Sequence, residues 1–202
     1  MRYFIGNWKM FGVPKSLNIL NKINSFHSKD INRRKYRVVM TPPYTLIESY
    51  AKHFKNKKIS IGAQNCYQKE QFSSNTGAVS SYMLKKVGAQ YTLIGHSDNR
   101  SEGDTDPMLK NKVQFALKNN LKVVFCIGEN NSEKKNNKTL SVLNRQLTNV
   151  LEKKFNINNI IVAYEPIWSI GTGKIPTTNE LKKTAFHIKK ILKNIFKEKS
   201  PA

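Results

Sequence analysis

Short, almost continuous apolar runs alternate along this chain with longer stretches in which apolar positions return every three or four residues. The runs at 3–7, 37–41, 59–63, 91–95, 122–127 and 160–164 are rich in Val, Ile and aromatic residues, and they predict strands buried on both faces. The stretches at 15–28, 44–52, 82–87, 107–118, 140–153 and 179–196 have the helical period. Asp106 before Pro107 predicts a helix start, an acceptor at the cap followed by proline at the first helical position. The Asn- and Lys-rich piece at 130–138 predicts a solvated loop. Six βα units result, which means a parallel α/β sheet, either open and doubly wound or closed into a barrel. After the first strand come Asn7, Trp8, Lys9, Met10, Phe11 and Gly12, which is no GxGxxG phosphate loop, and this favours the barrel.

Length adds a bound on domain number. A chain of 202 residues with 39% hydrophobic content supports one buried core, so the expectation is a single domain over 1–202 without an interdomain linker. The sixth helix runs into Ser200, Pro201 and Ala202 where a seventh strand would be due, and the expectation is an architecture that stops part-way. No stretch reaches the roughly 20 apolar residues of a membrane span, and no signal peptide precedes the first strand, so a soluble cytoplasmic protein is expected. Two cysteines, Cys66 and Cys126, have no metal-ligand spacing and make no disulfide framework.

Charge changes the picture less than its size suggests. The net charge of +22 would draw any polyanion, whether nucleic acid, an anionic membrane or a phosphorylated metabolite. Yet 29 of the 35 basic residues are lysines scattered over every expected helix, whereas recognition of nucleic acid tends to cluster arginines. Nucleic acid is therefore not an expected partner, and a basic binding or scaffold protein remains the alternative from another class.

In a parallel α/β fold, functional side chains gather where strands end. Lys9 follows the first strand, His96 the fourth and Glu165 the sixth. A cation, an imidazole and a carboxylate around one mouth suit proton abstraction beside a carbonyl, since the resulting enediolate needs its charge stabilised. Glu165 lies between Tyr164 and Pro166 after apolar residues, where an unpaired carboxylate is costly to desolvate, so a functional role explains it better than a structural one. His27, His53 and His187 fall in helical stretches and are expected to be structural. The segment Pro166, Ile167, Trp168, Ser169, Ile170, Gly171, Thr172, Gly173 and Lys174 has a rigid start, an apolar middle and two glycines near its end, a composition suited to a lid.

These residues belong to a wider set of motifs: Gly6-Asn7-Trp8-Lys9-Met10, Gly62-Ala63-Gln64-Asn65, Gly95-His96-Ser97, Cys126-Ile127-Gly128-Glu129 and Ala163 to Lys174. Taken in order, they resemble the triosephosphate isomerase family. The resemblance implies a TIM (β/α)8 barrel with about six of its eight units present in this chain. It also implies a homodimer and a reaction that needs no cofactor or metal, interconverting dihydroxyacetone phosphate and glyceraldehyde 3-phosphate. By the same resemblance Glu165 is the base, His96 the neutral electrophile, and Lys9 and Asn7 the substrate contacts. Gly171 grips the phosphate from the lid, and Ser97, Asp98 and Cys126 support the site from behind. Thr76 and Gly77 tip the loop that would enter a partner subunit. These roles are taken from the family and not from the residue pattern.

Three departures from the family pattern stand out. Asp98 replaces a usual glutamate and is one methylene shorter, so its contact with Lys9 is expected to be longer or bridged by water. Phe11 stands where asparagine is common. The glycine-rich loops after strands seven and eight have no counterpart, so the expectation is two open sheet edges and a chain that is by itself unstable and nearly inactive.

Overall fold

The computed structural model describes residues 1–55 and 57–197. Six strands form one sheet in sequence order: β1 (Arg2–Asn7), β2 (Tyr36–Thr41), β3 (Ile59–Ala63), β4 (Tyr91–Ile94), β5 (Lys122–Ile127) and β6 (Ile160–Tyr164). Every neighbouring pair is parallel, for example Ile5 opposite Val39, Leu93 opposite Val124, and Ile127 opposite Tyr164. The helices between them are α1 (Leu17–Lys29), α2 (Tyr44–His53), α3 (Ser81–Lys86), α4 (Ser97–Ser101), α5 (Asp106–Lys118), α6 (Asn131–Lys135), α7 (Thr139–Val150) and α8 (Thr178–Phe196).

The two faces of the sheet bury different things. Val38, Met40, Val123 and Phe125 face the helices and join the main core, which gathers Leu20, Ile47, Leu109, Leu143 and Ile188 from around the sheet. The alternate positions Val39, Tyr91, Leu93 and Val124 form a second cluster, against which pack Tyr3 and Ile5 of β1 and Ile161 and Ala163 of β6. Residues from the first and last strands thus meet on one face, with the Tyr3 and Tyr91 rings 6.5 Å apart, so the sheet curls around this cluster as a barrel wall does. Periodicity alone did not separate barrel from open sheet, and this inward cluster does.

Burial fades toward both ends of the strand order. β4 is buried throughout, whereas β1 and β6 are largely part-exposed, each having one strand neighbour among the described residues. Beside β1, Phe4 is 58% and Phe26 73% exposed. A cavity of about 890 Å³ opens here against Arg2, Phe4, Phe26, His27 and Tyr36. It runs along β1 and β2 beneath α1, from Arg2 and Tyr36 to Gly6 and Met40, and includes none of Lys9, His96 or Glu165. His27 is 3% exposed, stacks edge-on against Tyr36 and has no hydrogen-bond partner on either ring nitrogen among the described residues.

Three local expectations need correction. The segment 130–138 is not simply a loop, because a capping box between Asn130 and Glu133, each side chain bonding the other's backbone N–H at 2.9 Å, starts the short helix α6. Asp106 does not cap α5: Thr105 is the cap residue, and the Asp106 carboxylate instead receives Arg100 at 3.4 Å and Asn149 at 2.8 Å. The helix expected over 140–153 ends at Val150, where Leu151 turns to extended backbone.

Candidate active site

The carboxyl ends of β1, β4 and β6 do converge. Glu165, one residue past β6, places Oε1 2.9 Å from Nε2 of His96, two residues past β4. The histidine side chain is 8% exposed and the glutamate side chain 26%, so the imidazole is buried and the carboxylate partly open to solvent. On the other side of the ring, His96 Nδ1 accepts the backbone N–H of Asp98 at 3.1 Å, in the first turn of α4. A nitrogen that accepts carries no proton, so the imidazole's remaining proton belongs on Nε2, facing Glu165, and the ring is neutral.

Lys9 reaches the same mouth from the loop after β1. Its backbone has φ of 52°, a left-handed conformation rare for a residue with a side chain. The surroundings hold it there: the Asn7 side chain accepts its N–H at 2.9 Å, and Gln64 donates to its carbonyl at 2.8 Å and to that of Thr41 at 2.9 Å. Such strain persists only where neighbours over-determine it, a pattern common at functional sites. Asn7, Lys9, Gln64, His96 and Asp98 line a cavity of about 240 Å³.

The expectation for Asp98 is overturned. Its shorter side chain meets Lys9 Nζ directly at 3.1 Å, with no water needed, because α4 begins at Ser97 and brings the carboxylate over the loop. Both partners are about half exposed, so the pair contributes at most about 1 kcal/mol and mainly orients the amine. Ser97 opens α4 beside it. Cys126 is buried in β5 behind Glu165, and burial, reinforced by the glutamate's charge, pushes its thiol up to about 12, so it stays protonated and inert.

From Pro166 to Lys174 the chain forms one turn of 3-10 helix, Ile167–Ser169, followed by an exposed tip. Gly171 and Gly173 both have positive φ, 69° and 71°, which a side chain would resist. The tip is closed on itself by Ser169 Oγ donating to the Lys174 carbonyl at 2.5 Å and Thr172 Oγ1 to that of Trp168 at 3.0 Å. Its base is anchored to Glu129, whose buried carboxylate accepts Trp168 Nε1 at 2.7 Å and the Tyr164 hydroxyl at 3.0 Å. Thr76 and Gly77 are exposed at the tip of the loop between β3 and α3, remote from Glu165 in the sheet order.

Several supports escaped the residue pattern. Arg100 of α4 donates to the carbonyl of Gly95 at 2.8 Å and reaches that of Cys126 at 3.4 Å, tying the ends of β4 and β5 together. Gln64, Glu129 and Gln146 likewise spend their polar atoms on backbone or lid. Gln64 and Glu129 lie inside quoted motifs at strand ends, a signal that could have marked them, whereas Gln146 is an ordinary helix residue in sequence and Arg100 falls between the predicted elements.

Comparison with known proteins agrees with this geometry. The triosephosphate isomerase family model matches residues 2–202. The chain belongs to the triosephosphate isomerase family. It is 35% identical over 191 residues to the triosephosphate isomerase of Alkaliphilus oremlandii, covering 93% of this chain and 75% of that one. The enzyme of Wolbachia pipientis wMel is 38% identical over 186 residues, 92% of this chain and 72% of its own. The crystal structure of triosephosphate isomerase from Bartonella henselae superposes with a TM-score of 0.86 at 32% identity, over 98% of this chain and 78% of that one. The fold is accordingly six βα units of a TIM barrel, and the function is that of triosephosphate isomerase, an intramolecular oxidoreduction between an aldose and a ketose phosphate. Among the described residues, no helix is long and apolar enough to cross a membrane.

Proposed function

We propose that Glu165 is the base that moves the proton in this isomerisation and that His96 is the electrophile. The observation that carries the proposal is the 2.9 Å contact between them, combined with the acceptor role of Nδ1 on the far side of the imidazole. With dihydroxyacetone phosphate in the mouth, the Glu165 carboxylate takes a proton from C1 while the Nε2–H of His96 donates to the C2 carbonyl oxygen. The electron pair of the broken C–H bond forms the enediolate; the C1 hydroxyl then gives its proton back to Nε2 of His96, and Glu165 returns the carbon-derived proton to C2 as the aldehyde forms at C1. No electron leaves the substrate, so the step needs no cofactor.

The other side chains act on charge and position. Lys9 brings a cation to the developing enediolate, and Asp98, 3.1 Å from its amine, fixes where that cation sits. Asn7 has its oxygen engaged by the Lys9 backbone, which leaves its amide N–H groups free to donate to substrate. The Gly171 N–H, on the exposed lid tip, is the donor offered to the phosphate when the lid closes. Ser97 and Cys126 act from behind the site, as structure and not as reactants.

We assign the enzyme to a single barrel domain, working as a cytoplasmic homodimer. Supporting the dimer are apolar side chains left in water on two loops: Met10 is 95% and Phe11 75% exposed after β1, and Phe72 is 76% exposed on the loop that carries Thr76 and Gly77. Phe11 thereby offers contact area where the family often has a polar residue. The test of the catalytic assignment is Glu165→Asp, which withdraws the carboxylate by one methylene. Turnover should fall by about a hundredfold or more while substrate binding changes little, since the base acts in the transition state. An unchanged rate removes Glu165 from the base role.

A further inference from the structure

We propose that Gln146, on the outer helix α7, is a positioning residue for the Glu165 base, acting through Gly128. The inference rests on the assignment of Glu165 as base, and it concerns how that carboxylate is aimed.

The sheet register ends at Ile127 opposite Tyr164, and one residue further Gly128 lies against Glu165. Here the two backbones touch. The Glu165 N–H donates to the Ile127 carbonyl at 2.7 Å, and a Cβ at position 128 would collide with the Glu165 carbonyl oxygen and come within 2.7 Å of its carbonyl carbon. The plane of the Gly128 peptide therefore sets where the Glu165 backbone can lie. Glycine is needed at 128 for room, and the lack of a side chain leaves that peptide with nothing of its own to hold it.

Gln146 supplies the hold. Its Oε1 accepts the Gly128 N–H at 2.9 Å, and its Nε2 donates to the Gly128 carbonyl at 3.0 Å. One side chain thus engages both polar groups of a single residue, as a neighbouring strand would do, and holds both peptide planes that meet at Gly128. Only a primary amide offers a neutral donor and acceptor at this spacing. Gln146 is 7% exposed, so both bonds lie in a low-dielectric setting where losing either leaves a backbone group unsatisfied. From there the line to the chemistry is short: α7 to Gly128, Gly128 to the Glu165 backbone, and Glu165 Oε1 to His96 Nε2 at 2.9 Å. Glu129, the next residue, anchors the lid through Trp168. The single glutamine therefore braces the point where base and lid share a support.

The experiment measures the His96 Nε2 nitrogen resonance, which reports its hydrogen bond to Glu165, in the 202-residue protein and in variants. Gln146→Met keeps the length of the side chain and removes both bonds, and Gln146→Asn keeps an amide too short to make both. Leu143→Ala, on the same helix and fully buried, serves as a control for lost stability. Glu165→Gln gives the resonance of a disrupted pair. The expected result is that Gln146→Met and Gln146→Asn move the His96 resonance at least half-way toward the Glu165→Gln value, while Leu143→Ala, matched in melting temperature, leaves it in place. Wild-type resonances in whichever Gln146 variant folds, or an equal shift in Leu143→Ala, overturn the proposal. Turnover of dihydroxyacetone phosphate separates the two claims: if Gln146 variants displace the resonance but Glu165→Gln leaves turnover intact, Gln146 positions a residue that is not the base.

Discussion

Strands β1 and β4 look alike in sequence, each a short apolar run, yet they live in different surroundings. Every residue of β4 is buried between the helices and the inner cluster, while β1 carries Phe4 in the open beside a cavity of about 890 Å³. The active site draws on both. His96 comes from the buried centre, and Asn7, Lys9 and Glu165 come from strands at the two ends of the sheet order. A buried imidazole thus faces a carboxylate and a cation mounted on edges whose outer backbone groups have no strand neighbour among the described residues. The difference teaches that geometry at the mouth depends on what backs the edge strands, whereas the centre is held by packing and by the hydrogen bonds of Arg100 to Gly95 and Cys126.

The strongest way to break this contrast is to supply the edges. A polypeptide extended by the seventh and eighth βα units of the Bartonella henselae relative should turn over dihydroxyacetone phosphate on the order of a hundredfold faster than the 202-residue chain, because base and cation are then held in register. Equal, high turnover by both would show that the edges need no backing. Next in size is a pair of truncations. Phe125→Ala, at a fully buried position in β5, should cost about 3–5 kcal/mol in denaturant unfolding, whereas Phe4→Ala on exposed β1 should cost under about 1 kcal/mol. Comparable losses would mean that β1 is as well packed as the centre.

The smallest effects belong to α8, behind the β6 edge. Its capping box joins Thr177 and Glu180, and Lys134 adds an ion pair to Glu180. Thr177→Ala should lower stability by about 1 kcal/mol. The hydrogen bond from Lys134, followed by those from Thr177, holds the Glu180 carboxyl down to about 2 from its ordinary 4.5. A carboxyl whose folded value is depressed lends its stability above the unfolded value and loses it as pH falls through the folded one. Unfolding measured between pH 5 and about 2 should therefore show a Glu180-dependent loss that is absent from Glu180→Gln. An identical acid profile for the two would detach the cap from the helix's stability.

Much of this was readable from residues alone. The six strands and the six principal helices follow from apolar periodicity, with boundaries within a few residues, because each buries a continuous stripe or run. The convergence of His96 with Glu165 and the approach of Lys9 follow from their places at strand ends. What escaped depends on contacts between distant residues. The short helices α4 and α6 have too few apolar positions to show a period, and each is set by a local cap, His96 Nδ1 for one and Asn130 with Glu133 for the other. The Lys9–Asp98 distance could not be judged from side-chain length, since it depends on how α4 lies over the β1 loop. Arg100 and Gln146 are polar helix residues whose meaning comes only from the carbonyl or amide they reach, 26 and 18 positions away. The curl of the sheet needed Tyr3 seen against Tyr91.

The central claim is that the carboxylate of Glu165 carries the proton while the neutral His96 polarises the carbonyl. Exchange of the C1 proton of dihydroxyacetone phosphate with heavy water, followed by proton NMR in the eight-stranded extension and its Glu165→Gln variant, tests it most directly. Deuterium should enter C1 rapidly with the parent and only at the buffer rate with the variant. Undiminished exchange by the variant would contradict the account.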